Sequence, residues 1–207
     1  MDIDDLKKPN VSDAEMLARN AFEENILLQK NVLAGQLPSK IGEAAGEIVR
    51  HIKNGGKLFV AGNGGSAADA QHFAGELVGK YMHERKALSA IALTTDTSII
   101  TAIANDISYD SIFERQLEGL AGQNDIFFAI STSGNSKNIL KALQFCRGEN
   151  IFTIGLTGDG GGKMAGAVDM LIPVSSRSTP RTQEIHSVII HIISEIVEIE
   201  TMGANGK

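Results

Sequence analysis

Five short apolar runs, at residues 57–61, 88–93, 125–130, 151–156 and 168–172, are separated by stretches of helical periodicity. A strand in which nearly every residue is apolar must be covered on both faces, whereas a half-exposed strand alternates. The run Asp125-Ile126-Phe127-Phe128-Ala129-Ile130 is the plainest case. Strands of this kind interleaved with helices predict an α/β protein built on a mostly parallel five-stranded sheet with helices on both faces. The helices fall at about 66–78, 97–104, 111–120, 136–145 and 182–200, with Asn105-Asp106 read as a turn between the second and third.

Two helices precede the first strand. Ser12 with Glu15 three residues later reads as a capping box opening the first, and Gly35 closes it. The second follows Pro38, carries Ile41, Ala45, Ile48, Val49 and Ile52, and stops at Asn54-Gly55-Gly56. Both are too apolar on one side to stand alone in water, so they are expected to pack on the domain or on another subunit. The predicted organisation is a flexible tail over 1–11, N-terminal helices over 12–54, the α/β domain over 55–200 and a flexible tail over 201–207.

Composition narrows the function classes. With 43% hydrophobic and 21% charged residues the 207-residue chain reads as ordered. A net charge of −6 disfavours a broad nucleic-acid surface, and no direct nucleic-acid binding is expected. Cys146 is the single cysteine, so there is no intrachain disulfide, and no metal-ligand spacing surrounds it. The acidic, polar start does not read as a secretory signal, and the apolar runs fall far short of a membrane span. The expectation is a cytoplasmic protein with no membrane association.

In parallel sheets ligands bind beyond the C-terminal strand ends. Three segments are expected on that edge: residues 62–66, the Asn105-Asp106 pair, and the turn Ser131, Thr132, Ser133, Gly134, Asn135, Ser136. The last suits a phosphate group, because hydroxyls and exposed backbone N–H groups converge at a helix start. Gly62-Asn63-Gly64-Gly65-Ser66 follows the first strand in the same way, but it has neither the dinucleotide fingerprint nor the Gly-Lys-Ser/Thr of nucleotide hydrolases. His72 and Glu76, four apart, share a helix face and could ligate a metal or act as an acid/base pair. In the closing helix Gln183 and Glu184 both lie near His191 on the helical wheel, and spacing does not choose between them. His186 points elsewhere, towards packing.

Together with the 131–136 turn, the stretches 61–66, 69–77, 104–106 and 181–191 resemble the bacterial phosphoheptose isomerases of the sugar isomerase domain superfamily. The resemblance runs from about residue 12 to 200. It implies a flavodoxin-like or Rossmann-like sugar isomerase fold and interconversion of sedoheptulose 7-phosphate and D-glycero-D-manno-heptose 7-phosphate through an enediol-type intermediate, for cell-envelope polysaccharide. It implies that Ser131, Thr132, Ser133 and Ser136 hold the phosphate and that Asn63, Gly64, Gly65, Ser66, Asn105 and Asp106 meet the sugar. It assigns a zinc ion to His72, Glu76, Gln183 and His191, prefers Gln183 over Glu184, lets Glu76 and Gln183 also touch substrate, and makes Glu76 and His191 the catalytic pair. A homotetramer with active sites between subunits is implied as well. Two other readings share the fold. One is a non-catalytic relative that binds the bacterial replication initiator, against which the presence of His191 argues; the other is a sugar-phosphate sensor, for which no DNA-binding module is visible.

Overall fold

The computed structural model describes residues 11–202. Helices α1 (Val11–Ala34) and α2 (Leu37–Lys53) lead into β1 (Leu58–Ala61), α3 (Gly65–Val78), β2 (Ala90–Ala92) and α4 (Thr97–Asp106). A short 3-10 turn, Tyr109–Ser111, precedes α5 (Glu114–Leu120). Then come β3 (Ile126–Ser131), α6 (Lys137–Gly148), β4 (Phe152–Thr157), a second 3-10 turn at Gly162–Gly166, β5 (Met170–Pro173) and α7 (Thr179–Met202). All five strands are parallel, in the order β2-β1-β3-β4-β5.

Strand alternation sends the apolar side chains to two separate cores, one on each face. Leu58, Val60, Ile126, Phe128 and Ile130 face α2, α3 and α7 in the larger core. Phe59, Ala61, Phe127 and Ala129 face α5 and α6 in the other. All six residues of β3 are buried, as the apolar run requires. The chain leaves β1 for β2 on one side and β3 for β4 on the other, so the sheet reverses direction of growth between β1 and β3. A crevice opens at such a reversal, beyond the C-terminal strand ends, and the 62–66 and 131–136 loops flank it.

Several local expectations change. Helix α1 already includes Val11, so Ser12 lies inside its first turn, and Glu15 accepts from Arg19 at 2.8 Å instead of closing a capping box. Asn105 and Asp106 are the last residues of α4 and not a turn, and the 111–120 segment is a 3-10 turn followed by a shorter helix. The closing helix runs to Met202, past the expected boundary at 200. The flexible tails expected at either end fall almost entirely on residues 1–10 and 203–207, outside the described part of the chain.

The two leading helices part company. Helix α2 buries Ile41, Ala44, Ala45, Ile48 and Val49 against the domain. Helix α1 rests on α2 and α7 through Leu28, yet leaves Phe22 72% and Leu33 76% exposed. Between α1 and α7 lies an apolar groove of about 480 Å³, lined in part by Ile26, Leu33, Ile185, Val188 and Ile192. Among the described residues no helix is long and apolar enough to cross a membrane.

Candidate active site

The 131–136 turn is built where β3 delivers the chain to the sheet edge. Ser131 Oγ lies 3.0 Å from Ser136 Oγ and 3.5 Å from Ser133 Oγ, so three hydroxyls share one small volume. Ser136 takes extended backbone angles as the N-cap of α6, but its side chain makes no capping bond and stays with the other hydroxyls. Gly134 has φ +63°, and a Cβ there would fall on the carbonyl oxygen of Gly161. The turn is braced by that neighbouring loop: Met164 N–H donates to Gly134 O at 3.0 Å, and Lys163 N–H to Asn135 Oδ1 at 3.1 Å. Thr132 and Ser133 line a cavity of about 230 Å³ with Asp159, Ser176, Thr179 and Thr182. Hydroxyls and helix-start N–H groups of this kind form an anion-binding concavity.

Across the crevice, Asn63 locks to α6 by a reciprocal amide pair. Asn63 Nδ2 donates to Asn138 Oδ1 at 2.9 Å and Asn138 Nδ2 returns to Asn63 Oδ1 at 2.8 Å. Tyr109 Oη donates to the same Asn63 oxygen at 3.0 Å. Gly64 sits at φ +56° as the N-cap of α3, and Ser66 is buried. Asn105 and Asp106 are exposed at the end of α4, with Asn105 Nδ2 donating to Asp106 Oδ1 at 2.7 Å. Asn138 and Tyr109 were missed in the sequence, and only the amide two residues after the Ser136 cap hinted at Asn138.

Helices α3 and α7 run parallel and meet in a constant register. Gly65 is pressed by the Gln183 amide, so that a Cβ there would collide with it. One turn on, Ser187 Oγ donates to Asp69 Oδ1 at 3.2 Å. One turn further, His72 Nε2 and His191 Nε2 are 2.7 Å apart, one ring donating to the other. Glu76 Oε1 stands 3.6 Å from His72 Nε2. His72, Glu76 and His191 each offer a ligand atom within 4.8 Å of the others. The two histidines therefore meet within one chain.

Glu184, which the wheel had left level with Gln183, turns away. It accepts from Asn25 of α1 at 2.7 Å and from Arg181 at 2.9 Å. His186 is fully buried, with its Nε2 3.1 Å from Thr157 O, as the packing expectation held. Burial lowers its pKa to about 4 against the opposing pull of the Thr157 carbonyl, so it is neutral at pH 7.

Asp69 was also missed, although Asp-x-x-His places it on the His72 face. Its Oδ2 is buried without a hydrogen-bond partner. Burial raises the Asp69 pKa, outweighing the Ser187 bond and the charge of His72. The fit to a divalent cation rests on His72, Glu76 and His191 themselves, two imidazoles and a carboxylate whose ligand atoms lie within 4.8 Å of one another. Two nitrogen ligands and one carboxylate oxygen suit zinc.

A SIS domain family model matches residues 21–158. The phosphoheptose isomerase of Helicobacter hepaticus is 50% identical over 185 residues, covering 89% of this chain and 94% of the relative. Phosphoheptose isomerase 2 of Campylobacter jejuni is 50% identical, covering 88% and 91%. Among solved structures, a phosphoheptose isomerase of Francisella tularensis superposes with a TM-score of 0.87 at 35% identity, covering 90% of this chain and 98% of that one. That of Neisseria gonorrhoeae gives 0.84 at 37%, covering 90% and 99%. The fold and the strand-end site define a SIS-domain protein. Within that class, the chain belongs to the phosphoheptose isomerase family and is an isomerase.

Proposed function

We infer that the protein interconverts sedoheptulose 7-phosphate and D-glycero-D-manno-heptose 7-phosphate, with zinc at the α3/α7 seam. The observation that carries this reading is the convergence of His72, Glu76 and His191 from two helices of one chain, in a domain that also presents the 131–136 hydroxyl turn. Ser131, Thr132, Ser133 and Ser136 hold the phosphate, the unreactive end of the substrate. Asn63, Gly64, Gly65, Ser66, Asn105, Asp106 and Gln183 meet the sugar. Binding energy from the phosphate positions C1 and C2 at the reacting end.

Moving a carbonyl between C2 and C1 needs one proton carried between carbons and another between oxygens. Glu76 removes the proton from one carbon and returns it to its neighbour. His191 transfers the hydroxyl proton to the oxygen that becomes the new hydroxyl. His72, Glu76, His191 and Gln183 would hold the zinc, which supplies polarisation of the carbonyl and stabilisation of enediolate charge. With a doubly charged sugar phosphate as substrate, which a bilayer excludes, the reaction belongs to the cytoplasm.

The exposed apolar side of α1 and its groove with α7 support a homotetramer, with second copies of the chain covering that face. Light scattering coupled to size exclusion should give four times the monomer mass, and a monomer at micromolar concentration would remove the assembly. The function itself is tested by NMR of purified protein with sedoheptulose 7-phosphate, with and without chelator. New aldose signals that chelator suppresses are expected. Folded protein that converts nothing under either condition would overturn the reading.

A further inference from the structure

Between α3 and β2 the chain crosses residues 79–89 without helix or strand, and one buried carboxylate holds that connection. Glu198 of α7 is 1% exposed. It accepts from the backbone N–H groups of Tyr81, Met82 and His83 at 2.9, 2.8 and 2.9 Å, and from Arg85 Nε at 3.1 Å. Arg85, its side chain only 5% exposed, also reaches the C-terminus of α3, with Nη1 on Leu77 O and Nη2 on Glu76 O, each at 2.8 Å, and Nη1 donates further to Lys86 O of the connection at 3.1 Å.

Two features tie this knot to the reacting groups. Glu198 follows His191 by seven residues, two helical turns, so both lie on the same side of α7. The connection it fixes lays the Tyr81 ring against the His191 ring, centroids 5.8 Å apart and tilted 38°, on an imidazole that already meets His72 edge-on. The same pair thus grips Glu76 by its backbone and His191 by a ring contact. A buried ion pair of this kind is a poor source of stability, since desolvation offsets much of the attraction; what it provides is one fixed geometry.

We propose that Glu198 and Arg85, acting through the connection they hold and the Tyr81 ring on it, set the orientation of His191, making Tyr81 and Glu198 positioning residues for the isomerisation. This rests on the isomerase reading, so one arm of the test does not use turnover. In the full-length protein, Tyr81→Ala should lower kcat about 10-fold with KM within about 2-fold, and Tyr81→Phe, which keeps the ring, should restore it; outer contacts to metal-site histidines are worth about 10–100-fold. Glu198→Gln should lower kcat by a similar factor, and the double variant should be no worse than Tyr81→Ala alone, because both act on one element. Titration with cobalt(II) alone, followed by its visible absorption, should show binding about 10-fold weaker in Tyr81→Ala. That result in a protein with no turnover at all would sink the isomerase reading and leave this inference standing. Wild-type kcat and cobalt affinity in Tyr81→Ala, or losses that multiply in the double variant, would overturn it. If Glu198→Gln does not fold, the partly exposed Tyr81 variants decide the matter by themselves.

Discussion

The 131–136 turn and the α3/α7 seam, to which the proposed function gives the two halves of the chemistry, are made in opposite ways. The turn is local: six consecutive residues, one positive-φ glycine and a helix start put three hydroxyls together. The seam is assembled from residues 119 positions apart, His72 and His191, and exists only because two helices pack in parallel at a constant register. A handle for phosphate needs generic donors in a concave backbone, which a short segment can supply. Acid/base chemistry needs particular side chains at fixed mutual distances, which rigid elements hold better than loops.

That contrast can be broken experimentally. The largest effect is expected at the seam: Glu76→Gln should cut kcat about 10³-fold while leaving competition by inorganic phosphate unchanged. Near-normal turnover in that variant would remove Glu76 from its role. A comparable loss of phosphate binding would mean that the two halves are not separable.

Next comes a pH dependence on the buried side of α7. The His186 pKa is lowered to about 4 in the folded protein from 6.5, so above pH 6.5 both folded and unfolded states are neutral there. As pH falls from 6.5 towards 4 the unfolded state alone gains the proton, and stability should drop by up to about 3 kcal/mol, near 1.4 kcal/mol per pH unit. Glu198 acts in the same direction at lower pH. Burial pushes its pKa up, but the N–H groups of Met82, Tyr81 and His83 and the Arg85 charge together hold it below the usual glutamate value of 4.5. Its contribution is present above that value and is lost as pH falls through the folded pKa. Urea melts of wild type and His186→Gln across pH 4–7 should show a flatter slope in the variant; identical slopes would assign the acid sensitivity elsewhere.

Smaller is the effect at the turn itself. Ser136→Ala removes one of three clustered hydroxyls and should weaken phosphate binding about 5–10-fold by calorimetry, with kcat at saturating substrate little changed. A loss in kcat matching that in Glu76→Gln would erase the distinction between handle and chemistry. The smallest response is expected at Cys146, buried in the core against α6's own neighbours, where burial first and the nearby Asp169 charge second push the thiol up to about 12. It should resist thiol reagents in native protein and react fully in denaturant.

Legibility in the sequence follows the same division. The five strands, the closing helix and the 131–136 turn could be read directly, because an apolar run or a Ser/Thr/Gly cluster is a short-range signal. Asn105-Asp106 was misread as a turn, since two polar residues look alike at a helix C-terminus and in a loop. The choice between Gln183 and Glu184 was beyond the helical wheel, as the two differ by one position on it. Packing separates them, with Gly65 admitting the Gln183 amide, while Arg181 and Asn25 draw Glu184 towards α1.

By itself, then, the sequence determined the layered α/β architecture and the hydroxyl-rich strand-to-helix turn, both of which rest on patterns a few residues long. Only the tertiary structure decided that His72, Glu76 and His191 meet in one chain, that Asp69 pairs with Ser187 and leaves its other oxygen buried and unpartnered, and that Glu198 reaches across to hold Tyr81 at their side. Those contacts depend on how α7 lies along α3, and that register is set by small residues and close approaches summed over the whole interface, which no local pattern records.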